Sequence, residues 1–476
     1  MSTYLIATTG LTLSQGIRLA YLVAAILFIL GLKQLSSPKS ARKGNWTAAI
    51  GMAIALGASL TDLHPSTIKV VLILVGVIVG TAAGWFSARK VAMTAIPQMV
   101  AAFNGVGGGA AALVSIDEYM RVVGGSPAIV SIVTVVFSVV VGSVSFAGSV
   151  IAFLKLQEVM SGTPITYPGQ RLINASLIVV ILAAAVYLVG IHASVPILAA
   201  MLVVSVVLGL AFVLPIGGAD MPVVISMLNA FTGIAVAASG FAIGNTGLIV
   251  GGTLVGASGT LLTKMMSDSM GRNLGNVLFA AVGKVIPGAG TQTDESGEVK
   301  SYRSGTAEDI GVLLAYSKKV IIVPGYGLAV AQAQHVAREL ASTLEKRGVE
   351  VTYAIHPVAG RMPGHMNVLL AEADVPYDQL KEMEAVNDDF QFTDVVLVVG
   401  ANDVVNPAAR ESKDSPIYGM PILNADRAKN IVFLKRSMRP GFAGIDNQLM
   451  YDPKTIMLFG DAKESLTKLV AAVKAG

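Results

Sequence analysis

The sequence predicts two parts in two solvents. The first is a polytopic α-helical membrane domain of about nine transmembrane helices; the second is a soluble α/β domain, a Rossmann-like doubly wound parallel sheet. Three observations carry this reading. Of the 476 residues, 54% are hydrophobic and 13% charged, against about 25% charged in ordinary soluble domains. The charge is uneven: long apolar runs fill residues 1–283, whereas Asp, Glu, Lys and Arg are spread through 284–476. In the second part, strand-like and helix-like stretches alternate, which is the pattern of a parallel sheet. The expected organisation is a membrane domain at 1–283, a polar linker rich in Gly, Ser and Thr at 284–318, and the α/β domain at 319–476.

Composition also excludes classes of function. The net charge is only +4 and no long basic stripe appears, so nucleic acid is not an expected partner. The absence of cysteine removes disulfides, thiolate metal sites and cysteine nucleophiles, and no metal site is expected. Residues 1–15 hold no Lys or Arg, so they lack the charged start of a cleaved signal peptide. The first apolar segment, near 16–32, is expected to be a retained membrane helix.

A helix needs about 20 apolar residues to cross the hydrocarbon core. Such runs centre near Ala25, Ala53, Val77, Val106, Val140, Val180, Val204, Phe231 and Val255. The run at 126–156 is long enough to tilt or to extend beyond the bilayer. The run around Val106 is weakened by Asn104 and by Gly105, Gly107, Gly108 and Gly109, and whether it is a helix decides the parity of the count. One set of alternating loops carries Lys33, Lys39, Arg42, Lys43, Arg89, Lys90, Lys155, Arg171, Lys264 and Arg272. The other carries mainly Asp62, His64, Asp117, Glu118, Arg121 and His192. The richer set is expected on the cytoplasmic side, which with an odd helix count puts the α/β domain in the cytoplasm. Gly76, Gly80 and Gly84, and again Gly252 and Gly256, are spaced for close helix packing.

Polar residues inside the runs are few: Asn104, Asn229 and Asn245, with Ser258 beside a glycine cluster. In hydrocarbon each is expected to face the bundle or water, and for any single Ser or Asn an interhelical hydrogen bond suffices as an explanation. Asp220 differs, because it lies in the turn Pro215-Ile216-Gly217-Gly218-Ala219-Asp220-Met221-Pro222 at the expected cytoplasmic surface. An acid there can mark a proton or ion path, or a docking point. No histidine is expected mid-membrane, so a relay would depend on water and amides.

In the second part, 319–324 reads as a buried strand followed by Gly325-Tyr326-Gly327-Leu328-Ala329-Val330 and a helical stretch at 329–347. Strand, Gly-x-Gly-x-x-Val, helix is a variant of the dinucleotide fingerprint: the glycines allow a tight turn and close backbone approach to a pyrophosphate. An ordinary tight strand-to-helix turn has the same look. Further strands are expected at 350–355, 394–399, 431–434 and 455–459, with helices at 363–373 and 461–474. Ligands of such sheets bind at the carboxyl ends of the strands. Three loops leave those ends: 356–365, 400–406 and 435–441. The second strand ends at His356-Pro357, not at the acid an NAD site uses for the ribose hydroxyl. Lys435, Arg436 and Ser437 offer cations and a hydroxyl suited to a 2′-phosphate, which points to NADP(H), though solvated surface charges would look alike.

Taken together, these segments resemble one family over nearly the whole chain. They are Gly325-Tyr326-Gly327-Leu328-Ala329-Val330-Ala331-Gln332-Ala333-Gln334, residues 356–372, Gly400-Ala401-Asn402-Asp403-Val404-Val405-Asn406-Pro407 and Lys435-Arg436-Ser437-Met438. Gly218-Ala219-Asp220-Met221-Pro222, Ser226-Met227-Leu228-Asn229 and Leu370-Ala371-Glu372-Ala373 add to them. The chain resembles the NADP(H)-binding, membrane-spanning beta subunit of proton-translocating NAD(P) transhydrogenases. The resemblance implies direct hydride transfer between NAD(H) on a partner alpha subunit and NADP(H) on this chain, coupled to proton passage. It implies a dimer of such heteromers in the lipid of the inner (plasma) membrane. Cofactor contacts are implied for Gly325, Tyr326, Gly327, Ala329 and Val330; for Val358, Ala359, Gly360, Arg361, Met362 and Pro363; for Gly400, Ala401, Asn402 and Asp403; and for Lys435, Arg436, Ser437, Gly441 and Phe442. Asp403, Asp220 and Asn229 are the implied coupling residues, and Asn104, Asn229 and Ser258 the implied proton path. Two positions depart from the family pattern. Asn104 stands where a membrane histidine is well known, and an amide exchanges no proton near neutral pH. Phe442 stands where a tyrosine is common.

Two rival readings remain at this stage. A secondary transporter with a regulatory NADP(H)-sensing domain needs a solute site, yet no inverted repeat and few polar residues are present. A non-catalytic scaffold would not need the glycine turn and the basic loop.

Overall fold

The computed structural model describes residues 13–62, 67–92, 95–123, 125, 128–157, 159–160, 165–217, 220–269, 301–360, 364–413, 415, 417–439 and 445–475. The chain divides into two compact units, Met1–Ile216 with Val224–Thr263, and Gly217–Val223 with Lys264–Gly476.

Nine long helices make up the first part of the described chain: α1 Leu13–Leu35, α2 Pro38–Asp62, α3 Thr67–Lys90, α4 Ile96–Val122, α5 Ile129–Leu156, α6 Gln170–Gly190, α7 Val195–Val213, α8 Met221–Ile243 and α9 Thr246–Ser269. Eight of them are long and apolar enough to cross a membrane. The exception is α2, whose first turns carry Arg42, Lys43 and Asn45. The doubtful run around Val106 is helical throughout as α4, and its glycines are the reason it packs. A Cβ on Gly142 of α5 would stand 2.6 Å from the carbonyl oxygen of Gly108, so the two backbones touch where no side chain fits. Gly252 and Gly256 of α9 likewise meet Gly233, Ala237 and Ile234 of α8. Gly76, Gly80 and Gly84 do not behave this way: a Cβ on any of them would meet nothing within 4 Å outside its own helix backbone, and no residue of α3 is buried.

The second part is a six-stranded parallel sheet in the order β3-β2-β1-β4-β5-β6. Its strands are β1 Lys319–Pro324, β2 Glu350–Ile355, β3 Leu380–Glu382, β4 Val395–Val399, β5 Asn430–Lys435 and β6 Thr455–Phe459. This is the strand order of dinucleotide-binding folds, with its switch point between β1 and β4. Both of those strands are near-continuous apolar runs, as burial on two faces requires, and Val320 to Val323 and Val395 to Val399 are fully buried. Helices α10 Ala307–Ala315, α11 Tyr326–Val330, α12 Gln334–Glu345, α13 His365–Glu372 and α16 Ala462–Ala475 accompany the sheet, with short α14 Met383–Val386 and α15 Ala408–Glu411. Apolar spacing explains the longer ones: Ala337, Leu340, Ala341 and Leu344 form the buried stripe of α12.

Three local expectations are corrected. The helix expected at 329–347 is two helices, because Gln332 takes a left-handed φ of 48° and Ala333 N–H returns to Leu328 O at 3.1 Å, ending α11 before α12 begins. Strand β3 was not expected; its three residues carry no apolar alternation. The stretch read as linker contains α10, opened by a reciprocal capping box between Thr306 and Asp309. Beside it, Ser304 bridges Met457 of β6, which covers that sheet edge.

Candidate functional site

Register places the site. Pro324 at the end of β1 pairs with Val399 at the end of β4, so the two loops that follow leave side by side. They pack backbone against backbone: Gly325 N–H donates to Val399 O at 2.9 Å and Gly327 N–H to Gly400 O at 3.0 Å. A Cβ on Gly327 would stand 2.7 Å from Gly400 Cα, and Gly400 itself has φ +65°. The glycines of the fingerprint are therefore required first by the contact between these two loops.

Above them opens a cavity of about 910 Å³, at the upper end for a small-molecule site. Gly325, Tyr326, Gly327 and Val330 line it from the β1 loop, and Val358, Ala359 and Gly360 from the β2 loop. Gly400, Ala401, Asn402 and Asp403 line it from the β4 loop, and Lys435, Arg436 and Ser437 from the β5 loop. Ala329 is fully buried on the core side of α11 and is absent from the lining. Arg361, Met362, Pro363, Gly441 and Phe442 lie outside the described residues. The lining also includes Ala331, Val404, Leu434, Arg439, Gly460, Asp461 and Ala462, which sequence reading missed. A signal was there for the last group: β6 was expected, and its carboxyl end opens on the same rim as the others.

The two ends of the cavity differ in charge. Beyond β2, His356 is buried; its Nδ1 accepts from Val358 N–H at 3.2 Å and its Nε2–H donates to Pro421 O at 2.8 Å. Burial pushes its pKa down, against the pull of the Pro421 carbonyl and Glu384, so it is a neutral structural histidine. Lys435 ends β5, and Arg436 and Arg439 follow it. Asn402 joins this end, donating from Nδ2 to Asp403 Oδ1 at 2.9 Å and accepting from Lys435 Nζ at 3.2 Å. Asn447 Nδ2 holds the Asn402 carbonyl at 3.0 Å. A glycine-floored cleft with cations at one end fits a phosphorylated dinucleotide.

In the helical part, Asn104 is buried and donates from Nδ2 to Ser149 Oγ at 2.9 Å and Ser145 Oγ at 3.3 Å. Ser145 Oγ in turn meets Thr232 Oγ1 at 2.6 Å and donates to Leu228 O at 2.8 Å. Asn104, on α4, is thus brought together with α5 and α8, and Asn229 is half-buried on α8 beside Leu228. Ser258 is not brought to this cluster: it is exposed on α9 and donates back to Val255 O at 3.2 Å. Asn245 ties Tyr21 and Ser59 together through Nδ2. Asp220 opens the turn into α8, its N–H donating to Gly217 O at 3.1 Å. Among the described residues no cluster of His, Asp or Glu could hold a metal ion.

Comparison with known proteins agrees with this layout. Residues 17–472 match the family model described as NAD(P) transhydrogenase beta subunit. The chain is 48% identical over 463 residues to the NAD(P) transhydrogenase subunit beta of Rhodospirillum rubrum, covering 95% of this chain and 98% of that one. The protein of the same name from a designated strain of that species matches equally.

Proposed function

The chain belongs to the NAD(P) transhydrogenase beta-subunit family, and from that premise we propose that it binds NADP(H) in the cavity of its α/β domain and works with an alpha subunit that holds NAD(H). Hydride passes directly between the two nicotinamides, and the transfer is coupled to proton passage through the helical domain. The observation that carries this reading is the asymmetry of the cavity. The Lys435, Arg436 and Arg439 end suits a 2′-phosphate, while the lining from the β2 loop, Val358, Ala359 and Gly360, carries no charge. The adenosine end therefore lies over β5 and the nicotinamide end over β1 and β2.

Each part has a task. Gly325, Tyr326, Gly327 and Val330 with Gly400 and Ala401 form the floor against which the dinucleotide lies, and Val358, Ala359 and Gly360 close the nicotinamide end. Ala329, Arg361, Met362, Pro363, Gly441 and Phe442 complete the assignment on the resemblance alone. When bound, the two nicotinamides supply the redox chemistry; the protein positions them and excludes water. Asp403, one residue from the Asn402 that bridges to Lys435, links proton status to the grip on the nucleotide, and Asp220 takes the corresponding part at the mouth of α8. Protons pass by Asn104, Asn229 and Ser258. Asn104 cannot titrate, so the proton carrier is another group, and Ser258 is exposed on α9. The open glycine face of α3 supports helices of a partner in the same membrane, in a dimer of heteromers. The membrane domain spans 1–283 and the nucleotide domain 319–476, which stands in the cytoplasm of an inner-membrane protein.

The test uses vesicles holding the full chain with its cognate alpha subunit. Hydride transfer from NADPH to an oxidised NAD⁺ analogue, giving NADP⁺ and the reduced analogue, should appear with the alpha subunit and acidify or alkalinise the lumen. Asp403→Asn should stop turnover or release it from proton movement. Normal proton pumping in that variant would refute the assignment of Asp403, and no hydride exchange in the parent complex would refute the function.

A further inference from the structure

The loop that carries Asp403 is held from behind. Asn402 and Asp403 line the cavity. The Asn402 side chain spans from Asp403 Oδ1, to which its Nδ2 donates at 2.9 Å, to Lys435 Nζ, from which its Oδ1 accepts at 3.2 Å. Where that side chain points depends on its own peptide. The Asn402 carbonyl accepts from Val405 N–H at 3.3 Å, within the short turn Asp403–Val405, and from Asn447 Nδ2 at 3.0 Å. A second amide answers the first: Asn406 Nδ2 donates to Asp446 O at 3.0 Å. The loop after β4 and the segment at 446–449 thus exchange one amide donor each. Both asparagines are fully buried, and neither lines the cavity. Their oxygens fold their own turns: Asn406 Oδ1 accepts from Ala408 N–H at 3.1 Å and Asn447 Oδ1 from Leu449 N–H at 3.0 Å. The segment is itself anchored. Leu449 and Met450 are buried in the core with Val405 and Ala401, and Thr455 Oγ1 of β6 donates to Leu449 O at 2.6 Å. A buried amide without a partner is costly, so a shift of the loop that broke either cross-bond would strand a donor.

We propose that Asn447 and Asn406 are positioning residues, a reciprocal amide clasp that sets the place of Asp403 in the cavity through the peptide and side chain of Asn402. This rests on the proposed NADP(H) site and on Asp403 as its coupling acid. The clasp fixes the β4 loop to a segment that follows the β5 loop in the chain, so the two sides of the cavity keep one spacing. Asn447 lies outside every motif of the sequence reading, because its task is set by a contact across the fold.

The test is the NADPH affinity of the purified full-length chain in detergent, with thermal unfolding beside it. Asn447→Asp keeps the acceptor for Leu449 N–H and removes the donor to Asn402 O. Asn406→Asp does the same for Ala408 N–H and Asp446 O. Each should weaken NADPH about tenfold, the worth of one lost hydrogen bond at a buried group. Asn447→Leu adds no charge and should weaken NADPH to the same extent, which separates the lost donor from the added carboxylate. In an Asp403→Asn background, Asn447→Asp should lower thermal stability as before but cost no further affinity, because it acts on the nucleotide through Asp403. A purely structural asparagine would lower both in either background. Parent-like affinity in Asn447→Leu, or in both aspartate variants, would overturn the clasp. Additive losses of affinity with Asp403→Asn would overturn its route through Asp403. A parent chain that binds no NADPH would instead remove the NADP(H) site itself, a result distinguishable from either.

Discussion

His356 shows how a single residue can be read for what it excludes. It occupies the end of β2 where an acid would serve the ribose of NAD, and both ring nitrogens are used by the backbone of Val358 and Pro421. Its folded pKa lies below the ordinary value of about 6.5 because burial disfavours the cation. The unfolded chain therefore binds a proton at a pH where the folded chain does not. The stability this group confers is present in full above about pH 6.5 and is lost as pH falls from there towards its folded pKa. His356→Asn keeps an acceptor for Val358 N–H but loses the donor to Pro421. It should unfold about 1 kcal/mol more easily near neutral pH and show a shallower loss of stability on acidification, measured by thermal unfolding of the detergent-solubilised chain. An unchanged acid slope would mean that His356 titrates freely. At this scale the sequence was legible where chemistry is carried by residue type, as at Lys435-Arg436-Ser437. It was silent where geometry decides: nothing in Ala331-Gln332-Ala333 signals a helix break, since all three are acceptable helix formers, and the break is imposed by the fold.

Among elements, the apolar runs announced the nine long helices and five of the six strands of the described residues, because lipid and buried parallel strands both demand long apolar stretches. What they could not announce is how polar helix ends are sealed. The carboxyl end of α7 is one such place. Lys155, the penultimate residue of α5, is buried and donates from Nζ to the carbonyls of Leu214 and Ile216, at 2.5 and 2.8 Å. Leu214 O also accepts from Ile165 N–H at 3.1 Å, and Tyr167 OH donates to Ala211 O at 3.3 Å. A cation at a helix carboxyl end is favoured by the exposed carbonyl dipoles, and here it fixes the start of the turn that leads on to Asp220. The sequence reading took Lys155 only as a loop charge that sets orientation. Lys155→Met should leave those carbonyls short of a donor, at a cost of about 1–3 kcal/mol, and Lys155→Arg should recover part of it. Thermal stability in detergent measures the cost. If the turn also matters to coupling, proton movement per hydride should fall in Lys155→Met more than NADPH affinity does. A variant as stable as the parent would show that the carbonyls find other donors.

At the scale of the whole molecule, the separation of charge along the chain is the plainest message of the sequence, and its consequence is energetic. The two nicotinamide cofactors have nearly equal redox potentials, so hydride exchange alone brings the NADPH and NADH ratios close to one another. A charge crossing the membrane is worth about 2.3 kcal/mol per 100 mV. At roughly 200 mV, one charge per hydride shifts the product ratio about a thousandfold. Under the proposed function, joining a helical part to a nucleotide site in one chain is what lets that energy reach the hydride transfer. In vesicles of the assembled complex, an imposed proton-motive force should drive the NADPH to NADP⁺ ratio about a thousandfold above the NADH to NAD⁺ ratio, and a protonophore should return the two to near equality. Asp220→Asn should retain NADPH binding, since Asp220 is no part of the cavity lining, yet lose most of the shift. Hydride exchange that proceeds with the same ratio whether or not a gradient is present would mean that the helices conduct no proton for the reaction. The same shift in Asp220→Asn as in the parent would move the coupling acid elsewhere in the chain.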